Sequence, residues 1–215
     1  MNILSYPLGY LFLTDQDGRS LYKRNLVAII TITALISLPF IFANANFFGD
    51  KGFLDRIGGF SAVLTGFYIA GLVGIASFSS SVGDLDVVIV HGPISRRTID
   101  GEKEDLTRRE YVSSMFGYLS FVSLSMSIAF ILLIVLAGAK DDVLAWVRKV
   151  PEIEPYVTNF IGLVRTTTII LCSLVVAHLF VTTCHGLYYM IDRLYHKEPR
   201  LLNKRGVSEE SGSSD

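Results

Sequence analysis

The chain alternates long uncharged apolar stretches with short charged ones. Residues 25–49, 57–83, 111–139 and 166–191 contain no Asp, Glu, Lys or Arg, and run 25, 27, 29 and 26 residues. A bilayer hydrocarbon core about 30 Å thick takes about 20 apolar residues of helix, so each stretch is long enough to cross. The pattern predicts an all-α membrane protein with four transmembrane helices at 25–44, 58–80, 108–138 and 165–195. Between them lie an interfacial segment at 1–24, external loops at 45–57 and 139–164, and a cytoplasmic loop at 81–107. A polar tail at 196–215 is too poor in apolar residues to fold alone and is expected to be flexible.

Composition sharpens this picture only through its distribution. Of 215 residues 51% are hydrophobic, and 19 Lys and Arg face 20 Asp and Glu for a net charge of −1. All 39 charges lie in the 108 residues outside the four stretches, a partition that excludes a soluble domain, whose charges spread over every surface element. The near-zero net charge, with no long basic run, excludes direct nucleic-acid binding. Thirteen of the basic residues lie in the N-terminal segment, the 84–110 loop and the tail, against six in the other two loops. The positive-inside rule then places both termini in the cytoplasm, and the expected location is a bacterial inner membrane. Lys23-Arg24, the apolar run 26–42 and Ala43-Asn44-Ala45 imitate a signal peptide. The run exceeds the usual apolar region, however, and a polar leader precedes it, so it reads as a retained helix. Cys172 and Cys184 sit about 120° apart on one helix, too far round to bridge, and read as small buried apolar residues.

The charged segments carry local signals. Residues 3–13, with Tyr6, Tyr10 and Phe12 interrupted by Pro7 and Gly9, fit an interfacial stretch among headgroups. In the 84–110 loop, Val87-Val88-Ile89-Val90, the turn His91-Gly92-Pro93 and a second turn at Asp100-Gly101 predict a small hairpin of 85–90 with 94–99. Two strands alone are marginal in water, so this piece must lean on the tail, a neighbouring subunit or a partner. Thr107-Arg108-Arg109-Glu110 fits a capping box that starts a helix running unbroken through the third span. Arg96, Arg97, Arg108 and Arg109 are placed to contact a partner or anionic headgroups. In the external loop, Val143, Leu144, Trp146 and Val147 predict a short amphipathic turn that Pro151 and Pro155 break.

Two patterns inside the spans are candidates for function. Gly58, Ala62, Gly66, Ala70 and Gly74 recur every four residues, a small-residue ladder for close packing against another span or its copy in a second subunit. His178, Thr182, His185, Tyr189 and Asp192 form one polar stripe on the fourth span. Ionisable residues at such depth either bond to a neighbouring helix or mark a functional pathway. Ser113, Ser120 and Ser127 with Gly117 lie near one face of the third span, where they serve helix packing or line an oligomeric pore. The spacing of His178 and His185, about 10 Å along the axis, is too long for one ion, so no metal site is expected. No nucleophile elbow, phosphate loop, dinucleotide fingerprint or zinc pattern occurs, so no catalytic residue, cofactor or enzymatic activity is expected.

The stretch Leu106-Thr107-Arg108-Arg109-Glu110-Tyr111, leading into Gly117-Tyr118-Leu119, together with four spans in about 200 residues and a basic inner loop, resembles the KwaA family. Its members are the small membrane subunits of the bacterial Kiwa antiphage defence system. The resemblance is one of architecture, and it implies an oligomeric, non-enzymatic membrane sensor or scaffold that recruits a cytoplasmic effector. The residues themselves leave open an alternative, an oligomeric ion channel or membrane-perturbing pore. In either case the expected partners are the lipid bilayer and further copies of the chain, with a cytoplasmic protein in the first.

Overall fold

The structure, a computed structural model, describes residues 7–14, 25–43, 45–77, 86, 88–89, 94–97, 103–139 and 154–192. Among them are a 3₁₀ turn, η1 (Pro7–Phe12), and four helices: α1 (Leu26–Phe42), α2 (Phe53–Ser77), α3 (Arg108–Gly138) and α4 (Glu154–Asp192). A two-stranded antiparallel pair, β1 (Ser95–Arg97) and β2 (Lys103–Asp105), lies between α2 and α3. The predicted amphipathic turn at 143–147 and the tail lie outside the described residues.

Among the described residues, three helices are long and apolar enough to cross a membrane: Phe53–Ser77, Arg108–Gly138 and, within α4, Asn159–Met190. Their outward faces are apolar, with Val63, Phe67, Val135, Leu136, Phe160 and Leu163 all exposed. Only a hydrocarbon surround makes such a surface favourable, so the chain is an integral membrane protein. Helix α1 is equally apolar but has 17 residues, a rise of about 26 Å.

Two of the helices run past their hydropathy windows on the N-terminal side. Helix α2 begins at Phe53 rather than 58, and α4 at Glu154 rather than 165. Pro155 falls in the first turn of α4, where a missing N–H costs no hydrogen bond. The start of α3 follows its local signal. Thr107 is the N-cap, the Glu110 amide donates to Thr107 Oγ1 at 3.2 Å, and the Thr107 amide donates to Glu110 Oε2 at 2.9 Å.

Two antiparallel pairs, α1 with α4 and α2 with α3, meet where α3 packs on α4. Opposed residues along α2 and α3 keep one register. Gly58 faces Phe130, Thr65 meets Ser123, and Gly71 lies under the Phe116 ring. At the end remote from the strands, α1 turns into α2 over an aromatic plug. Phe47, 1% exposed, lies edge-on to Phe40 and stacks on Phe53, with centroids 4.9 and 5.3 Å away. Asn46 closes that turn, its side chain accepting from the Gly49 amide and donating to the Asp50 carbonyl.

At the strand end the N-terminal segment is built into the fold. Tyr10 and Leu13 are buried, and η1 packs against α3. Thr14 pairs antiparallel with Ser95, exchanging N–H···O bonds of 3.1 and 3.0 Å, so β1 is flanked by Thr14 on one side and β2 on the other. The predicted pairing of 85–90 with 94–99 is corrected: Ser95, Arg96 and Arg97 oppose Asp105, Glu104 and Lys103. Val88 instead bridges Thr107. The reason is burial. This arrangement sends Ile89, Ile94 and Leu106 into one apolar cluster with Tyr10, Leu13 and Tyr111, which the shifted register could not do.

Candidate functional site

Two places gather chemistry-bearing side chains: the aromatic girdle at the strand end, and the seam between α3 and α4. The girdle forms because Tyr recurs where α3 and α4 enter the apolar core. Tyr10 stacks on Tyr118 with centroids 5.2 Å apart and tilts against Tyr111 at 6.2 Å. Tyr111 meets Tyr189 of α4 edge-on at 4.7 Å.

The predicted polar stripe of α4 turns inward. Its steps of four and three residues hold one face, and that face meets the bundle. Thr182 and Tyr189 are buried, while His178 and His185 are half-buried. His178 Nε2 lies 2.6 Å from the Tyr118 hydroxyl of α3, with the two rings edge-on. The neighbouring Thr183 donates to the Leu179 carbonyl at 2.7 Å and accepts from the Tyr68 hydroxyl of α2, also at 2.7 Å. Three helices are therefore cross-bonded by His178 with Tyr118 and Tyr68 with Thr183, about a turn and a half apart along α4, and of the four only His178 was a candidate site residue in the sequence. The two tyrosines were hidden because a lone Tyr in an apolar stretch carries no periodic signal.

The hydroxyls of α3 serve packing within the chain. Ser120 donates to the Gly117 carbonyl, and Ser123, fully buried, sits 2.9 Å from Thr65 Oγ1. Ser127 is buried too. Such bonds contribute about 0.6 kcal/mol each in a bilayer protein.

The small-residue ladder of α2 divides. Gly58 is buried against Phe130, Ala62, Gly66 and Ala70 are exposed, and Gly74 is half-buried. The cause is geometric: a step of four residues overshoots a 3.6-residue turn by about 40°, so a fourfold ladder winds off any one face. The face that meets α3 instead steps by three and four, through Leu54, Gly58, Ser61, Thr65 and Tyr68. Within the long helices α2, α3 and α4, the described glycines pressed tightest against another helix are others. A Cβ on Gly71 would lie 2.7 Å from the Phe116 ring, and one on Gly186 2.6 Å from the Met115 methyl.

Of the arginines, Arg109 makes a two-pronged contact with Asp86, Nε to Oδ1 at 2.8 Å and Nη2 to Oδ2 at 3.2 Å, tying residue 86 to the first turn of α3. Arg96 meets Glu104 across the strand pair at 3.4 Å with both side chains largely exposed. Arg108 is half-buried, and Arg97 pairs through its backbone with Lys103. Cys172 is buried, but Cys184 is exposed, which corrects the expectation that both are buried: α4 is covered on the sides facing α1 and α3, and Cys184 points elsewhere.

Above His178 the seam opens. Helices α3 and α4 touch at Tyr111–Tyr189, Met115–Gly186 and Tyr118–His178, then part to leave an apolar cleft of about 660 Å³. Among the described residues no group of three His, Cys, Asp or Glu side chains could hold a metal ion. No protein-family model, no curated protein and no solved structure matches the chain.

Proposed function

We propose that the chain is an oligomeric, non-enzymatic membrane scaffold or sensor whose strand end, on the cytoplasmic side, recruits a soluble effector protein. The setting is antiphage defence in a bacterial inner membrane, as the KwaA resemblance implies, with α1 as a fourth span and both termini cytoplasmic. One observation carries the reading. The residues that flank the strand pair, Ile94 before β1 and Leu106 after β2, are buried in the apolar cluster with the helices, while Lys103, Glu104 and Asp105 of β2 are all exposed. Such a strand is a charged surface held rigidly at the membrane. It is mechanically joined to the spans through Thr14–Ser95, Arg109–Asp86 and the cap of α3. A rearrangement among the helices therefore moves the docking strand. The exposed Ala62, Gly66 and Ala70 offer a close-packing face to a second copy.

The test is affinity purification from the native host in mild detergent, with the charge swap Lys103→Glu, Glu104→Lys and Asp105→Lys compared with the natural chain. The expected result is one soluble protein retained in stoichiometric amount by the natural chain and lost with the swap. Unchanged retention after the swap, or ion flux through liposomes holding the purified chain alone, overturns the reading in favour of the pore.

A further inference from the structure

The outer edge of β2 is not used by the docking reading, which concerns the strand's charged surface. In an antiparallel ladder a residue turns its N–H and its C=O to the same side, and that side alternates along the strand. Ser95 gives both groups to Thr14, away from β2, while Leu106 donates to the Ile94 carbonyl, towards β1. With Asp105 opposite Ser95 and Lys103 opposite Arg97, the main-chain groups of Lys103 and Asp105 therefore point away from β1. Among the described residues no hydrogen bond satisfies them, and all three side chains of β2 are exposed.

A charged edge ordinarily keeps a second copy away, because like charges come to lie opposite each other. The order Lys103-Glu104-Asp105 does the reverse. Outward-facing main chain can meet its own copy two-fold in a register centred on 103, 104 or 105. Centring on Lys103 or on Asp105 sets like charges opposite and overlaps one such residue. Centring on Glu104 sets Lys103 against Asp105 and Asp105 against Lys103. That register closes two hydrogen-bonded pairs, each exchanging both N–H···O bonds, and two opposite-charge pairs. Each central Glu104 brings its own counter-charge, Arg96 at 3.4 Å.

We propose that two copies of the chain join edge to edge along β2 in this register, fusing their strand pairs into one sheet. The two-fold axis of such a join stands normal to the sheet, so both copies keep the face of Ile94 and Leu106 towards their helices. Both sets of spans then lie on one side of the sheet, as two chains in one bilayer require. Three residues make a small contact, but copies confined to a bilayer have already lost part of the freedom that association costs. The join rests on the oligomeric part of the proposed function and not on the effector. Lys103 and Asp105 alternate with Glu104, so those of both copies stand together on the sheet face turned away from the helices.

The experiment uses the full chain in phosphatidylcholine liposomes at high lipid-to-protein ratio. Cys172→Ala with Cys184→Ala is the background, and copper phenanthroline is the oxidant. Glu104→Cys meets its own copy at a Cα separation of about 4.5 Å and should cross-link to a covalent dimer. Lys103→Cys and Asp105→Cys, each alone, lie on the diagonal about 7–8 Å from their copies and should cross-link at least fivefold less. Reconstituted together, those two chains should cross-link to each other. Adding Lys103→Glu to Glu104→Cys sets like charges opposite and should cut its yield several-fold, and adding Asp105→Lys as well should restore it. Helical content should be unchanged throughout, since all three positions are exposed. An oligomer in which Glu104→Cys cross-links no better than Lys103→Cys overturns the join alone. So does a yield that ignores Lys103→Glu or is not restored by Asp105→Lys. A monomer by native mass spectrometry overturns the join and the oligomeric reading together.

Discussion

The hydroxyl of Tyr68 on α2 donates to Thr183 on α4 across 2.7 Å, joining two residues 115 apart in sequence. Since Thr183 donates its own hydroxyl hydrogen bond to the Leu179 carbonyl, the bond is one of a chain ending on backbone rather than an isolated pair. Tyr68→Phe keeps the ring, 1% exposed, and deletes the donor. The expected loss is about 0.6 kcal/mol, and below about 1.7. Reversible unfolding in mixed micelles, taken as a double-mutant cycle with Thr183→Val, measures the coupling.

Glycine positions should separate by contact rather than by sequence pattern. Gly71→Ala forces a methyl to within 2.7 Å of the Phe116 ring and should cost about 1–3 kcal/mol by overpacking. Gly186→Ala meets the flexible end of Met115 and should cost less, because a thioether can swing aside. Gly66→Ala meets nothing within 4 Å and should leave the stability of the isolated chain unchanged. Thermal denaturation in detergent ranks the three.

The exposed part of the ladder has a separate readout. Ala62→Leu with Ala70→Leu should leave helical content intact while lowering the mass of the detergent-solubilised assembly. Native mass spectrometry decides: an unchanged mass means that this face meets lipid alone.

The start of α3 joins the strand end to the spans, and its cap can be weakened without touching the membrane. Glu110→Ala removes the acceptor for the Thr107 amide and should cost about 1 kcal/mol. Amide exchange over 108–111 should accelerate several-fold, with residues beyond Met115 unaffected. Asp86→Asn should do less, since Asp86 is 67% exposed and a surface ion pair is worth under about 1 kcal/mol.

These contrasts also mark what the sequence can disclose. The cap of α3 was legible because Thr107 and Glu110, three residues apart, bond to one another, and the apolar helices because the bilayer demands their length. The face of α4 bearing His178 and Tyr189 was legible from its steps of four and three. The destination of the α2 ladder was not, since a repeat identifies small residues without saying what lies opposite. Nor was the strand register: β-branched Val87–Val90 outweighs Ser95–Arg97 locally. Only the shared burial of Ile89, Ile94 and Leu106 beneath η1 decides the pairing. Tyr10 and Tyr118 met for the same reason, through tertiary placement that no local pattern encodes.

The bond between Thr14 and Ser95 closes a circuit of 81 residues around α1 and α2. Closing so long a circuit costs more entropy than two short backbone bonds return, unless its contour is already folded back on itself. The two ends meet only after α1 has run out and α2 has returned to the starting side. The join thus depends on the first hairpin of helices being folded back, and it ties the chain before α1 to the chain after α2.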